Sequence, residues 1–358
     1  MRLYKYSFPG VDETMALAAP LASDAAAAAR APRARVAVAG ATGYAGQELI
    51  RILARHPAVT LTTAMSSTAT SAPRPLPALA RIWDGSVAPF DVDRLVTEAD
   101  VVFLALPEAA SAELAPTLVD RGRRVIDLSG AFRIRSDADR RRWYPATAAL
   151  PAGTAYGFSE RNRDAIAGAR LVSNPGCYPT AALLALEPLT TAGLLQGAIV
   201  VDAKSGISGA GKTPSDRTHF SENHGSVAAY AIFSHRHTAE IEQELGMGVT
   251  FVPHLVPLDR GILETIYSSV KPGTTERLVA DTLQAAYADA PFVRLTGSAL
   301  PEIKHVVHTN FCDIGWKVDA ERGRIVLVAV IDNLVKGAAG SAIQNLNIML
   351  GIDERTGL

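Results

Sequence analysis

"RVAVAGATGYAGQELIRILARHPAVTLTTAM", residues 35–65, is the stretch that most narrows what this chain can fold into. A β-branched run (35–40) ends in glycine. Residues 47–56 then carry Leu49, Ile50 and Leu53 at helical spacing, and 58–65 reads as a strand again. Strand, glycine-rich turn, helix and strand within about thirty residues make a βαβ unit.

The pattern continues. "ADVVFLAL" (99–106) and "RRVIDLSG" (123–130) are apolar runs of the kind buried on both faces of a sheet, with a helical segment at 108–120 between them. This alternation predicts an α/β, doubly wound, Rossmann-type parallel sheet over about 34–175. After that the chain changes character. Strand-like runs at 197–206, 248–258, 261–270 and 324–332, with an amphipathic helix at 274–289, predict an α+β domain built on a mixed or largely antiparallel sheet. Residues 333–350 read as one long helix. At 358 residues, two domains are the expected organisation.

Composition excludes several functions. The formal net charge is −1, which offers no basic footprint for nucleic acid. No apolar run reaches eighteen residues, so no membrane span is expected. Two cysteines cannot build a disulfide framework and fit a reducing, cytoplasmic compartment. Residues 1–33, Ala-rich and carrying Asp12, Glu13 and Asp24, match neither a secretory signal nor a transit peptide. They read as a flexible extension, with Met15 an alternative start.

The turn places Gly40, Gly43 and Gly46 in a G-x-x-G-x-x-G spacing, looser than the strict dinucleotide fingerprint. Its position between strand and helix is what points to a cofactor: backbone can approach a pyrophosphate there, at a helix N-terminus. Gly40, Thr42, Gly43, Tyr44 and Gly46 are the candidate contacts. A carboxylate for the ribose hydroxyls is expected about twenty residues on. The sequence there is "TTAMSSTATSAPR", with Ser66, Ser67 and Thr68 and then Arg74. Hydroxyls and an arginine suit a 2′-phosphate, so NADP is favoured over NAD.

"SNPGCYPT" (173–180) carries Cys177 on a Pro-Gly turn, with Pro179 suited to a first helical turn. A helix N-terminus favours the thiolate, so Cys177 reads as a nucleophile. Cys312 has no such context and reads as a packed residue. "SHRHTAEIEQEL" (234–245) offers His235 and His237, with Thr238 a candidate N-cap for the following helix. A metal pair there lacks a clear third ligand, and no metal is expected. "KSGISGAGKTP" (204–214) is a second Gly/Ser-rich loop, with Ser205 and Lys212 as possible phosphate contacts. Arg260 and Arg133 are candidate carboxylate or phosphate clamps.

At "SNPGCYPTAALLALEPL" and "SHRHTAEIEQEL" the sequence resembles the N-acetyl-γ-glutamyl-phosphate reductase family. The resemblance extends through "DLSGAFRI", "PHLVPLDRGILETI" and "FCDIG" to "IDNLVKGAAGSAIQ". It implies a glyceraldehyde-phosphate-dehydrogenase-like architecture. The cofactor domain would comprise 34–175 and 333–358, the catalytic and dimerisation domain 176–332. It implies Cys177 as the nucleophile, His235 as the acid/base with His237 close by, and Asn333 near the nicotinamide. It further implies a homodimer or homotetramer acting on a small acyl phosphate. The rival readings are a sister reductase of aspartyl or aminoadipyl phosphate, a Cys-His thiol hydrolase, and a non-catalytic nucleotide sensor. Gly176, where aspartate-semialdehyde enzymes usually have Asn, counts against the aspartyl reading.

Overall fold

The computed structural model describes residues 32–68, 72–147 and 149–358, so most of the expected N-terminal extension and part of the 66–74 segment lie outside the described residues. The first half runs β1 (Ala34–Ala39), α1 (Tyr44–Leu53), β2 (Val59–Met65), β3 (Arg74–Pro75), β4 (Ser86–Val87), α2 (Val92–Glu98), β5 (Val101–Leu104), α3 (Glu108–Asp120), β6 (Arg124–Asp127), α4 (Asp137–Trp143), β7 (Thr154–Tyr156), α5 (Ser159–Gly168) and β8 (Leu171–Ser173). Its main sheet has the order β2-β1-β5-β6-β8-β7 and every pairing is parallel. The apolar run at 101–104 is buried at every position, as a strand covered by helices on both faces must be. The order reverses between β1 and β5, and it is at such a switch point, beyond the strand C-termini, that open α/β sheets form their crevice.

The second half runs α6 (Cys177–Thr191), β9 (Leu195–Gly206), α7 (Phe220–Asn223), β10 (Ala228–Ala229), α8 (Arg236–Leu245), β11 (Val249–Val256), β12 (Ile262–Val270), α9 (Glu276–Ala286), β13 (Val293–Gly297), β14 (Cys312–Asp319), β15 (Arg324–Ile331) and α10 (Gly340–Met349). Seven strands form a mixed sheet, β10-β11-β9-β12-β15-β14-β13. Only β11/β9 and β13/β14 are parallel. The α+β expectation therefore describes this half well.

Helix α6 is the apolar spine of that half. From Tyr178 to Leu186 every residue is buried, and Tyr178 and Ala181 to Leu186 lie in one cluster with Ile199, Val201, Ile266 and Leu327 of the sheet. Pro188 lies inside it, and a proline cannot donate to the carbonyl four residues back. That carbonyl, on Leu184, instead accepts from the Tyr287 hydroxyl at 2.6 Å, so nothing is left unpaired.

The C-terminal segment differs from the expectation of one long helix. Residues 335–339 form a π-type turn before α10 begins. Ala342, Ile343, Leu346 and Met349 of α10 pack in the same cluster as Val36 and Val38 of β1 and Leu49 of α1. The chain's last helix thus shares a core with its first strand.

Candidate active site

One cleft of about 600 Å³ gathers the glycine turn, the cysteine turn and the loop after β15. Its wall on the parallel-sheet side is Gly40 to Gly46 with Ala105 to Pro107, the C-terminal ends of β1 and β5. Gly40 has φ +88°, and a Cβ there would collide with the Ala105 carbonyl, so glycine is required for the turn itself. Gly43 differs: a Cβ there would meet nothing closer than the Gly40 carbonyl at 3.5 Å. Its bareness therefore leaves room on the cleft side. Gly43 is the N-cap of α1, with no side-chain cap and no acidic residue in the first turn. Uncapped N–H groups at a helix start suit an anion, and here they fit the pyrophosphate of a dinucleotide. Ser67 lines the same cleft. Ser66 does not: it is buried, and its hydroxyl donates to the Thr68 carbonyl at 2.7 Å.

Cys177 is the first residue of α6, behind an N-cap, Gly176, that offers no side chain. Two glycines clear its surroundings. A Cβ on Gly176 would strike the His237 imidazole, and a Cβ on Gly337 would stand 2.7 Å from that of Cys177. The helix start was expected to hold the thiol as thiolate. Burial overrides that effect: it pushes the Cys177 thiol up to about 11, against the opposing pull of Arg133 and the Tyr178 N–H. The resting sulfur is a thiol and needs a base.

Of the two histidines, the structure puts His237 on the cleft wall with Cys177. Burial, together with His235, Arg133 and Arg236, pulls its imidazole well below the usual range. Its Nε2 lies 3.4 Å from Arg133 Nη1, which can only donate, so Nε2 accepts and the ring proton sits on Nδ1. In this neutral tautomer the lone pair able to take a proton is that of Nε2, beside Gly176, at the end of a long contact with Arg133. His235 lies outside the cleft lining. It is the N-cap of α8, its Nδ1 accepting from the His237 N–H at 3.1 Å. Its ring packs edge-on to Tyr178, Tyr230 and Phe251, and burial pushes it down to about 4. Thr238, expected to cap α8, lies within the helix, because the chain already turns helical at Arg236.

Arg133 lines the cleft and is held from behind. Nε donates to the Asn174 carbonyl at 2.8 Å and Nη2 to the Leu128 carbonyl at 2.9 Å. Nη1 also faces Glu240 at 3.4 Å. Glu240 was not anticipated from sequence. It is fully buried on α8, and its Oε1 accepts from the Gly176 N–H and the Tyr156 hydroxyl, both at 2.8 Å. It thereby fixes the backbone next to Cys177 and the guanidinium next to His237. Its spacing three residues after His237, one helical turn on, was the available signal.

Lys212 and Asn333 line the cleft; Ser205 and Arg260 do not. Lys212 Nζ donates to the Thr42 carbonyl at 2.9 Å, which places this loop against the glycine turn. Asn333 accepts from the Gly261 N–H at 2.7 Å and donates to Ser208 at 3.0 Å. Ser205 is buried and donates to the Gly206 carbonyl. Arg260 pairs with Glu48 of α1 at 3.0 Å and Asp332 at 3.5 Å. With two carboxylates already facing its guanidinium, it is a brace between elements and not a free clamp. Among the described residues no cluster of His, Cys, Asp and Glu suits a metal ion, and no helix is long and apolar enough to cross a membrane.

Comparison with known proteins agrees with this geometry. The semialdehyde dehydrogenase NAD-binding domain matches residues 35–169, and the semialdehyde dehydrogenase dimerisation domain matches 177–333. The N-acetyl-gamma-glutamyl-phosphate reductase of Brevibacillus brevis is 44% identical over 337 residues, covering 90% of this chain and 97% of that protein. That of Desulforudis audaxviator is 46% identical over 342 residues, with the same coverage. Among solved structures, aspartate semialdehyde dehydrogenase II from Vibrio cholerae superimposes with a TM-score of 0.69 at 20% identity, covering 89% of this chain and 98% of that one. The Candida albicans aspartate semialdehyde dehydrogenase with NADP gives 0.67 at 17%, covering 88% and 98%. These two likenesses speak for the fold. Domain matches along most of the chain and near-full-length relatives together place it: the chain belongs to the N-acetyl-γ-glutamyl-phosphate reductase family of semialdehyde dehydrogenases.

Proposed function

We propose that this chain reduces N-acetyl-γ-glutamyl phosphate to N-acetylglutamate semialdehyde with NADPH, through an acyl group carried on Cys177. One observation carries the assignment of roles: the thiol at the start of α6 opens into the same cleft as the glycine turn and a neutral imidazole. His237 takes the thiol proton as sulfur attacks the acyl carbon. The carbon–oxygen bond to phosphate breaks, and the proton leaves with the phosphate. Arg133 sits on the cleft wall where it can hold the charge of the departing group. N–H groups at the uncapped start of α6 face the oxygen that gains negative charge. Gly40, Thr42, Gly43, Tyr44 and Gly46 would hold the dinucleotide, which would supply the hydride that takes the thioester to the aldehyde. A solvent proton restores the thiol when the aldehyde departs.

This reading moves the acid/base role that the resemblance gave to His235 onto His237, and makes His235 the helix cap. It keeps Ser67, with Arg74 seven residues on in the sequence, as the basis for choosing NADP over NAD. The cofactor-binding part is taken as 34–175 with 333–358 and the catalytic part as 176–332. That catalytic part, matching a dimerisation domain, would assemble the chain as a homodimer or homotetramer. The cytoplasm is the proposed location.

The test is the reverse reaction, followed at the NADPH absorbance band. With N-acetylglutamate semialdehyde, phosphate and NADP the account expects turnover. Aspartate semialdehyde should be turned over at least about 10²-fold less efficiently, because a buried site built for one polar group rejects an analogue lacking it. Equal turnover of the two aldehydes would overturn the substrate assignment. Turnover independent of phosphate would overturn the reaction.

A further inference from the structure

The cleft wall opposite Cys177 is made by Asn333, Leu334, Gly337 and Ala338, the first turns after β15. These residues are not α-helical. Gly337 N–H donates to the Asp332 carbonyl at 2.9 Å and Ala339 N–H to the Leu334 carbonyl at 2.9 Å, each five residues back. Such π-turns are rare and wide, and they persist only where surrounding structure holds them. The extra residue sets which side chain meets the nucleophile. Relaxing the turn to α spacing would rotate the following residues by about one position, roughly 100°. Gly337 would then swing off Cys177 and a side chain would take its place.

Two anchors oppose this. Asp332 accepts from the N–H groups of Leu334 and Val335 at 2.7 and 3.0 Å, fixing the entry. Lys336 fixes the turn itself. It is 1% exposed, and its Nζ pairs with Glu160 of α5 at 2.6 Å and with Gln344 of α10 at 2.8 Å. Burial raises the Glu160 carboxyl, but Lys336 outweighs it, and the net direction is down, as in an ion pair. The Phe292 ring lies 5.7 Å below the ammonium. Asn174, three residues before the nucleophile, ties in from the other side by donating to the Ala338 carbonyl at 3.2 Å.

A buried ion pair is poor value for stability alone, since packed apolar side chains of similar volume often serve as well. We propose that Lys336 and Glu160 are positioning residues: their buried pair sets the register of the π-turn, and that register holds Gly337 and Ala338 against Cys177. Neither touches the reacting atoms. This rests on the cleft being the reaction site.

The test compares the wild type with Lys336→Met/Glu160→Met and with Glu160→Gln. Turnover is counted per Cys177 thiol titrated in the folded protein, with melting temperature measured in parallel. The account predicts that folded double variant loses kcat by about tenfold or more, since small misplacements near a reacting group cost 10- to 100-fold. The KM for NADPH should change less than about threefold, and the rate of Cys177 alkylation should shift at unchanged melting temperature. Glu160→Gln, keeping the Lys336–Gln344 bond, should fall between. Wild-type kcat in either folded variant overturns the proposal. So does activity lost only in proportion to folded protein, or failure of both variants to fold, because the pair would then be merely structural. Cys177→Ala, with turnover counted per folded protein, separates the two readings. If it retains turnover, the site assignment fails; if it is inert while the pair variants match wild type, only this inference fails.

Discussion

Cys177 and Cys312 pack against one hydrophobic cluster, and burial pushes both thiols up. Cys312 sits within the seven-stranded sheet, wholly buried in β14, between Ile331 of β15 and Val293 of β13. Cys177 stands at a helix start, at the edge of a cleft, between two glycines. Depressed acidity therefore does not distinguish the proposed nucleophile from the packed thiol. Access and a neighbouring base do: Cys177 has an open side and His237, and Cys312 is walled by its own sheet.

The sharpest way to break this contrast is to remove each sulfur. Cys177→Ala should lower kcat by about 10⁴-fold or more, as loss of a covalent nucleophile does, with NADPH binding by fluorescence titration nearly intact. Cys312→Ala should keep kcat within about twofold and cost about 1–2 kcal/mol of stability in a urea titration, as small core truncations do. The next division lies between the histidines. His237→Asn should cost about 10²–10⁴ in kcat, the usual worth of a general acid/base. His235→Asn should cost much less, because asparagine still caps α8, whereas His235→Ala should lose about 1 kcal/mol of stability. Comparable kcat losses at both positions would contradict the reassignment of the base.

A third arm concerns the glycines. Gly337→Ala should cut turnover by about 10²-fold, since its methyl would press on Cys177 Cβ. The smallest effects are read by pH. Iodoacetamide labelling of Cys177 in the free enzyme should rise about tenfold per pH unit and level off only near 11. Because the folded thiol keeps its proton after the unfolded one has lost it, stability falls as pH rises from about 9 toward 11. On the acid side His235 stays neutral in the folded chain while the unfolded one is protonated, so stability falls as pH drops from 6.5 to about 4. His235→Asn should make that acid limb shallower, with His237 still contributing to it, while leaving the alkaline one.

The same contrast shows how far sequence reaches. The Cys177 turn was legible because proline, glycine and a following apolar run speak locally, and so did the βαβ start. The 197–206 and 324–332 strands were legible for the same reason. Choosing between His235 and His237 was not, because both share one short segment. The choice depends on where α8 begins, and that is set by a histidine cap where Thr238 seemed the better candidate. Arg260 looked free as a charge near a strand end. Its partners, Glu48 and Asp332, come from 212 residues upstream and 72 downstream, distances over which no local pattern operates. Glu240 was hidden in an acidic helix whose other carboxylates, Glu242 and Glu244, do not touch the Cys177 turn. The π-turn at 335–339 looked like ordinary helix, because its signal is a buried lysine whose partner lies on α5.

The central claim is that one of the two sulfurs carries the acyl group. It is tested most directly by mixing enzyme with N-acetyl-γ-glutamyl phosphate in the absence of NADPH, quenching in acid, and mapping peptides by mass spectrometry. The account predicts a mass gain of one N-acetylglutamyl group on the peptide containing Cys177, lost when NADPH is added before the quench, with the Cys312 peptide unmodified. An unmodified Cys177 peptide in the NADPH-free quench, from enzyme that turns over fully once NADPH is supplied, or acylation at Cys312, would contradict it.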